Sequence, residues 1–316
     1  MSNNRSKIAI IGTGFVGASA AFALSLNQMV NEMVLIDVFK DKAAGEAMDI
    51  NHGLSFLGQM KVYDGDYSDC ADCDAIIITA GANRKPGETR IDLAKKNVAI
   101  VKEITQNVMK YYTRGVILVV SNPVDIITYK IAQWSGLPYG RVLGTGTVLD
   151  SSRFRYLLSE KFDVDVRNVH GYIIGEHGDT QLPIWSATHI AGRNIREYFN
   201  DPAYNVSDAD IAAIMENVKG AGAEIIKRKG ATYYAIAVAI NTILESLLKN
   251  QNTIRTVSSV IKGNYGIEDV ALSLPAIVNA NGVKSIVDIK LTDEELTALK
   301  YSSEQLKSIL KEVKDM

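Results

Sequence analysis

The sequence predicts an α/β protein: a doubly wound parallel sheet followed by an α+β region. Three observations lead there. Short apolar runs rich in Ile and Val alternate with helical stretches through the first half, the pattern of a parallel sheet covered by helices on both faces. A glycine-rich turn joins the first run to the first helical stretch. Beyond about residue 145 the alternation stops, and long helices and alternating strands replace it.

Residues 7–11, 33–37, 74–79 and 116–120 read as buried strands, with shorter ones at 61–63 and 141–144. Between them, 18–26, 42–54 and 91–112 carry helical spacing. In the second half, 149–162 reads as a helix and 168–174 as a strand, with further strand signals over 185–190 and 192–194. Helical patterns cover 207–228 and 231–249, with Gly230 between them, and 256–261 and 271–278 alternate as antiparallel strands. A final amphipathic helix spans 292–314, where Thr292 precedes the acidic turn Asp293-Glu294-Glu295. The expected division is a cofactor-binding domain, 1–145, and a catalytic or substrate domain, 146–316.

Composition excludes several classes. The 316 residues are 47% apolar, enough for a large core. Thirty-four basic and 36 acidic side chains leave a net charge of −2 with no basic run, which argues against nucleic acid or an anionic membrane as partner. Cys70 and Cys73 are the only cysteines, so there is no disulfide scaffold, and a reducing cytoplasm fits. Their C-x-x-C lacks a second pair for zinc and precedes a strand in a polar turn, so packing is expected there and no metal. Residues 8–30 carry no charge and follow Arg5 and Lys7, as a signal anchor would. Yet Gly12, Thr13, Gly14, Gly17, Ser19, Ser25, Asn27 and Gln28 interrupt them, and a strand, turn and helix explain the segment better.

Gly12-Thr13-Gly14-Phe15-Val16-Gly17 follows the first strand and opens the first helix. The first glycine allows the tight turn, the second a close approach of backbone to pyrophosphate, and the third tight packing of helix on sheet, the Rossmann-type arrangement. Asp37 ends the second strand, 20 residues after Gly17. A carboxylate there accepts the ribose hydroxyls and repels a 2′-phosphate, so NAD is expected rather than NADP. The bland alternative is a structural turn that binds nothing.

Three further motifs carry chemistry. Val148-Leu149-Asp150-Ser151-Ser152-Arg153 opens a helix, and Ile174-Gly175-Glu176-His177-Gly178-Asp179 is a glycine-rich loop. Asn83 to Arg90 lies between a strand and a long helix, where a mobile lid would sit. Hydride transfer between a carbinol and NAD needs a group for the hydroxyl proton, and histidine titrates in the right range. A carboxylate beside it fixes the tautomer, and an arginine holds a substrate carboxylate in bidentate fashion. Taken singly, His177 is one of four histidines, Asp150 a helix cap, and Arg153 a surface ion pair worth ~0–1 kcal/mol.

Together with Gly81-Ala82-Asn83, Gly87-Glu88-Thr89-Arg90, Ser121-Asn122-Pro123-Val124-Asp125 and Gly144-Thr145-Gly146-Thr147, continuing through Arg153-Phe154-Arg155, these motifs make the chain resemble the lactate and malate dehydrogenase family over essentially its whole length. The resemblance implies roles. His177, paired with Asp150, donates the proton to the keto oxygen. Arg153 binds the substrate carboxylate, Arg90 polarises the carbonyl, and Asn122 hydrogen-bonds near the reacting oxygen, with a cis bond to Pro123 expected. Thr232 and Ile236 line the pocket under the nicotinamide. Cofactor contacts fall on Gly12, Gly14, Phe15, Val16, Gly17, Asp37, Ala80, Gly81, Asn122 and Ile236.

Gly144-Thr145-Gly146-Thr147, Thr232 and Glu88 resemble the bacterial L-lactate dehydrogenases, whereas Arg84-Lys85-Pro86-Gly87 resembles malate dehydrogenases. Arg84 replaces the usual Gln of the lactate branch and would face the substrate's variable end. A guanidinium–carboxylate bond there favours oxaloacetate by ~1.5–3 kcal/mol; an Arg84 turned to solvent or paired with Glu88 leaves pyruvate preferred. Arg155 and His170 match residues that form an intersubunit fructose 1,6-bisphosphate site in bacterial relatives, implying an allosteric homotetramer. Two rival readings are an NAD-dependent glycosidase, which needs a metal with Cys and His ligands that do not stand beside Asn122, and a non-catalytic NAD-sensing module, which does not need His177, Asp150, Arg90 and Arg153 together.

Overall fold

In β1 (Lys7–Ile11), Ile8 and Ile10 pack into one apolar layer and Ala9 and Ile11 into another, and all four are buried. This two-sided burial is why the strands of the first half read as continuous apolar runs. The computed structural model describes residues 6–83, 87–314 and 316, apart from the Arg90 side chain. After β1 come α1 (Phe15–Asn27), β2 (Glu32–Ile36), α2 (Lys40–Gly53), β3 (Lys61–Asp64) and β4 (Ala75–Ile78). Then follow α3 (Arg90–Met109), β5 (Val116–Val119), α4 (Val124–Ser135) and β6 (Val142–Gly144).

The second half contains α5 (Val148–Phe162), the short strands β7 (Val169–His170), β8 (Ile173–Ile174), β9 (Leu182–Pro183), β10 (His189–Ile190) and β11 (Arg193–Asn194), and α6 (Ile195–Phe199). The long helices α7 (Asp208–Lys229) and α8 (Tyr234–Leu248) follow, then β12 (Thr253–Arg255), β13 (Ser258–Lys262), β14 (Glu268–Ser273), β15 (Ala276–Asn279), β16 (Gly282–Ile286) and α9 (Asp293–Glu312).

The main sheet has the order β14-β13-β6-β5-β4-β1-β2-β3, with β1 to β6 parallel. The strand order reverses between β1 and β4, so the loops leaving their carboxyl ends diverge and open a crevice where such folds bind ligands. The sheet is not confined to the first half. β13 joins β6 antiparallel through the pair Ser258–Gly144, and β14 extends the edge. Segments 8–30 form β1 and α1, and among the described residues no helix is long and apolar enough to cross a membrane.

Several elements differ from the sequence reading. Helix α4 was not anticipated, because Val124, Ile126, Ile127, Thr128 and Ile131 are β-branched and weak helix formers; burial of seven of its twelve residues overrides propensity. The strand expected over 168–174 is two, because Ser151 of α5 captures Ile173 N at 2.9 Å and turns the chain from the β7–β10 ladder into the β8–β9 pair. Within 185–190, Trp185–Ala187 is a 3-10 turn. The run 271–278 breaks at Pro275, which has no N–H for a ladder, so β14 and β15 lie in different sheets. Thr256 belongs to no strand; its carbonyl accepts Thr147 N instead. Gly230, at φ +87°, ends α7, and α8 begins only at Tyr234, leaving Thr232 in the connection.

Candidate active site

At the crevice, Gly12 has φ +100°, and a Cβ there would lie 2.6 Å from Ala80 N, so only glycine brings the ends of β1 and β4 together. A Cβ on Gly17 would overlap the Gly12 carbonyl. Gly14 faces open space, and no side chain caps α1. The first N–H groups of α1 therefore point into a cradle that fits a pyrophosphate. Asp37, just beyond β2, accepts Thr13 N at 2.6 Å and Thr13 Oγ1 at 3.0 Å on one oxygen and Phe39 N at 3.0 Å on the other. Burial pushes its pKa up, but these donors outweigh it and hold the carboxylate below its ordinary value. A fixed anion beside the glycine turn suits ribose hydroxyls and opposes a 2′-phosphate.

Phe15 stacks on Tyr233 with ring centroids 5.3 Å apart, and Lys229 Nζ lies 3.6 Å from the Tyr233 centroid. The contact ties the glycine turn to the segment holding Thr232. Val16 and Ile236, on the first turns of α1 and α8, pack on the same apolar layer. Ala80 and Gly81 lie just past the end of β4, after Thr79. Asn122 follows β5, its bond to Pro123 is cis, and its carbonyl accepts Asn97 Nδ2 at 2.7 Å.

Helix α5 supplies Asp150 and Arg153 one turn apart, both turned toward the loop between β8 and β9. His177 Nδ1 lies 2.6 Å from Asp150 Oδ2, and Arg153 Nη1 donates to Asp150 Oδ1 at 3.0 Å. Burial pushes the Asp150 pKa up, but His177 and Arg153 reverse this and hold it below its ordinary value. An ionised carboxylate only accepts hydrogen bonds, so Nδ1 carries a proton and Nε2 is the nitrogen left to exchange one. Burial likewise opposes protonation of His177, but Asp150 and Asp125 outweigh it against the repulsion of Arg153, and its pKa is raised. No other acceptor for the Arg153 guanidinium stands among the described residues.

The profile of the lactate/malate dehydrogenase NAD binding domain matches residues 6–144, and that of the lactate/malate dehydrogenase alpha/beta C-terminal domain matches residues 147–316. The chain belongs to the lactate/malate dehydrogenase family. An L-lactate dehydrogenase of Acetivibrio thermocellus is 49% identical over 98% of this chain and 99% of its own. One from Priestia megaterium is 50% identical over 98% and 96%. The crystal structure of the minor L-lactate dehydrogenase from Enterococcus mundtii in its ligands-bound form superposes with a TM-score of 0.95 at 43% identity, covering 98% of this chain and 99% of that one.

Against this family framework, Arg84 lies outside the described residues, and Arg90 is the first residue of α3. Arg155 bonds Ser151 O at 3.2 Å and lines a cavity of about 290 Å³ with Arg255, whose Nε has no hydrogen-bond partner. His170 is exposed on β7 and is not part of that cavity's wall. Both cysteine thiols are buried, which pushes each up to about 12, as packing residues rather than nucleophiles.

Sequence reasoning assigned no role to Asp125, Asn97, Ser258 or Ser302. Asn97 of α3 clamps both polar groups of Ala82 and the carbonyl of Asn122. Ser302 Oγ of α9 accepts Glu176 N at 2.9 Å, supporting the His177 loop. Asp125 stood in the Ser121–Asp125 motif, an acid followed by the apolar run Ile126-Ile127; the other three carry no local signal.

Proposed function

We propose that this protein is an NAD-dependent L-2-hydroxy acid dehydrogenase that interconverts pyruvate and L-lactate. The observation that carries the reading is the Asp150–His177 contact with Arg153 on the same carboxylate. When bound in the Gly12–Gly17 cradle, NADH supplies the hydride that reduces the keto carbon. The chain supplies everything else. Imidazolium His177, held by Asp150, gives its Nε2 proton to the keto oxygen as negative charge develops there. Arg153 turns its remaining N–H groups to the substrate carboxylate and fixes the carbonyl against the histidine. Arg90 and Asn122 add donors to the same oxygen. Residues 1–145 hold the cofactor and 146–316 the substrate, with Thr232 and Ile236 beneath the nicotinamide and Phe15, Val16, Asp37, Ala80 and Gly81 around the dinucleotide.

Arg84 carries a second reading, in which this framework also reduces oxaloacetate to L-malate, its guanidinium meeting the second carboxylate. We further infer a cytoplasmic homotetramer activated by fructose 1,6-bisphosphate at Arg155 and His170, supported by the match of those two residues to family positions. NADH oxidation with pyruvate and with oxaloacetate, each with and without the bisphosphate, tests all of this. Higher kcat/KM with pyruvate is expected, with measurable oxaloacetate reduction that Arg84→Gln lowers by about 10-fold or more. Reduction of neither acid overturns the reading. Activation that persists in Arg155→Ala overturns the effector site.

A further inference from the structure

The carboxylate of Asp125 lies on α4, three residues beyond Asn122, yet both its oxygens are engaged by the other half of the chain. Oδ2 accepts the backbone N–H of His177 at 2.7 Å, and Oδ1 accepts Ser258 Oγ of β13 at 2.5 Å. The residue is 2% exposed. We propose that Asp125 is a positioning residue for the proton donor: it fixes the backbone of His177 and adds a second negative charge near the imidazole, beside that of Asp150. This rests on the function proposed above.

A charge buried this deeply is retained only with a reason, since a neutral side chain of the same shape would fill the space without the desolvation cost. The charged and titratable groups around it are few. From the loop come His177 and Glu176; from α5, Asp150 and Arg153 face the same imidazole; Ser258 donates from β13. Complete burial pushes Asp125 up to about 6, opposed by the Ser258 hydroxyl and the His177 N–H and reinforced by Glu176. At neutral pH it is still an anion, and it adds to Asp150 in favouring the imidazolium. The same carboxylate links the Asn122 arm to the His177 loop, so the two groups aimed at the keto oxygen share one brace.

The test is Asp125→Asn, which keeps the shape and one acceptor while removing the charge. The imidazole of His177 is titrated by NMR in substrate-free labelled protein, with His177→Asn for assignment, and the pH profile of pyruvate reduction is recorded beside it. Reduction uses the protonated imidazole, so the rate is full below its pKa and falls as pH rises through it. Asp125→Asn is expected to move the titration and the basic limb down by about half to one pH unit, with a lower kcat and an unchanged KM. Ser258→Ala, which leaves Asp125 easier to protonate, is expected to shift both in the same direction by less, and it serves if the Asn variant does not fold. Titrations that stay at the wild-type position in these variants, with only a lowered Tm, overturn the proposal. A wild-type protein that reduces no keto acid overturns the function above and leaves the NMR result to decide Asp125.

Discussion

Around Gly12 the chain is shaped by what its side chains lack. The turn closes because no Cβ stands between Gly12 and Ala80, or between Gly17 and the Gly12 carbonyl. Around His177 it is shaped by what side chains add. Asp150 holds the ring, Asp125 the backbone N–H, and Ser302 the neighbouring Glu176 N. The cradle is a contiguous stretch braced by the ends of β2 and β4, whereas the proton-donor site converges from α4, α5, the β8–β9 loop and α9. One is specified by local backbone geometry and the other by long-range hydrogen bonds, so they should fail differently.

The largest expected effect separates them. His177→Gln should lower keto-acid reduction by about 10²–10⁴-fold, the usual worth of a general acid, while NADH affinity stays within about twofold. Fluorescence titration of NADH beside the activity assay checks this; a parallel loss of binding would show that the two regions are one unit. Gly17→Val strikes the other side. Its side chain overlaps the Gly12 carbonyl, so we expect about 1–3 kcal/mol of destabilisation in thermal unfolding, with NADH binding lost. Unchanged binding would mean that the helix start tolerates displacement and the cradle is less rigid than the geometry implies. The smallest effect is at Cys70 and Cys73, buried in the core of the first half. With thiols near 12, roughly one in ten thousand is thiolate at pH 8, so iodoacetamide should label them only after denaturation. Rapid labelling of the native protein would show that this turn opens.

What the sequence made legible follows the same divide. The alternation of apolar runs and helices predicts β1 to β6, and the glycine spacing with Asp37 predicts the cradle, because each signal is carried by residues close together in the chain. Helix α4 escaped because its β-branched residues favour strand locally and only burial makes them helical. The break at Pro275 was readable in principle from its missing N–H, and the break at Gly171-Tyr172 was not, since the Ser151 bond that causes it spans 22 positions.

His177, Asp150 and Arg153 were recognisable as residue types suited to proton transfer and carboxylate binding, and family resemblance grouped them. That His177 and Arg153 share the Asp150 carboxylate, and that Asp125 holds the His177 backbone N–H, was decided by the fold. So was the addition of β13 and β14 to the edge of the sheet, which brings Ser258 within reach of α4. The physical reason is range. Periodicity, turn chemistry and glycine spacing act over a few residues and are written directly in the chain. A hydrogen bond between positions 125 and 177, or 125 and 258, exists only once tertiary packing has set the elements side by side.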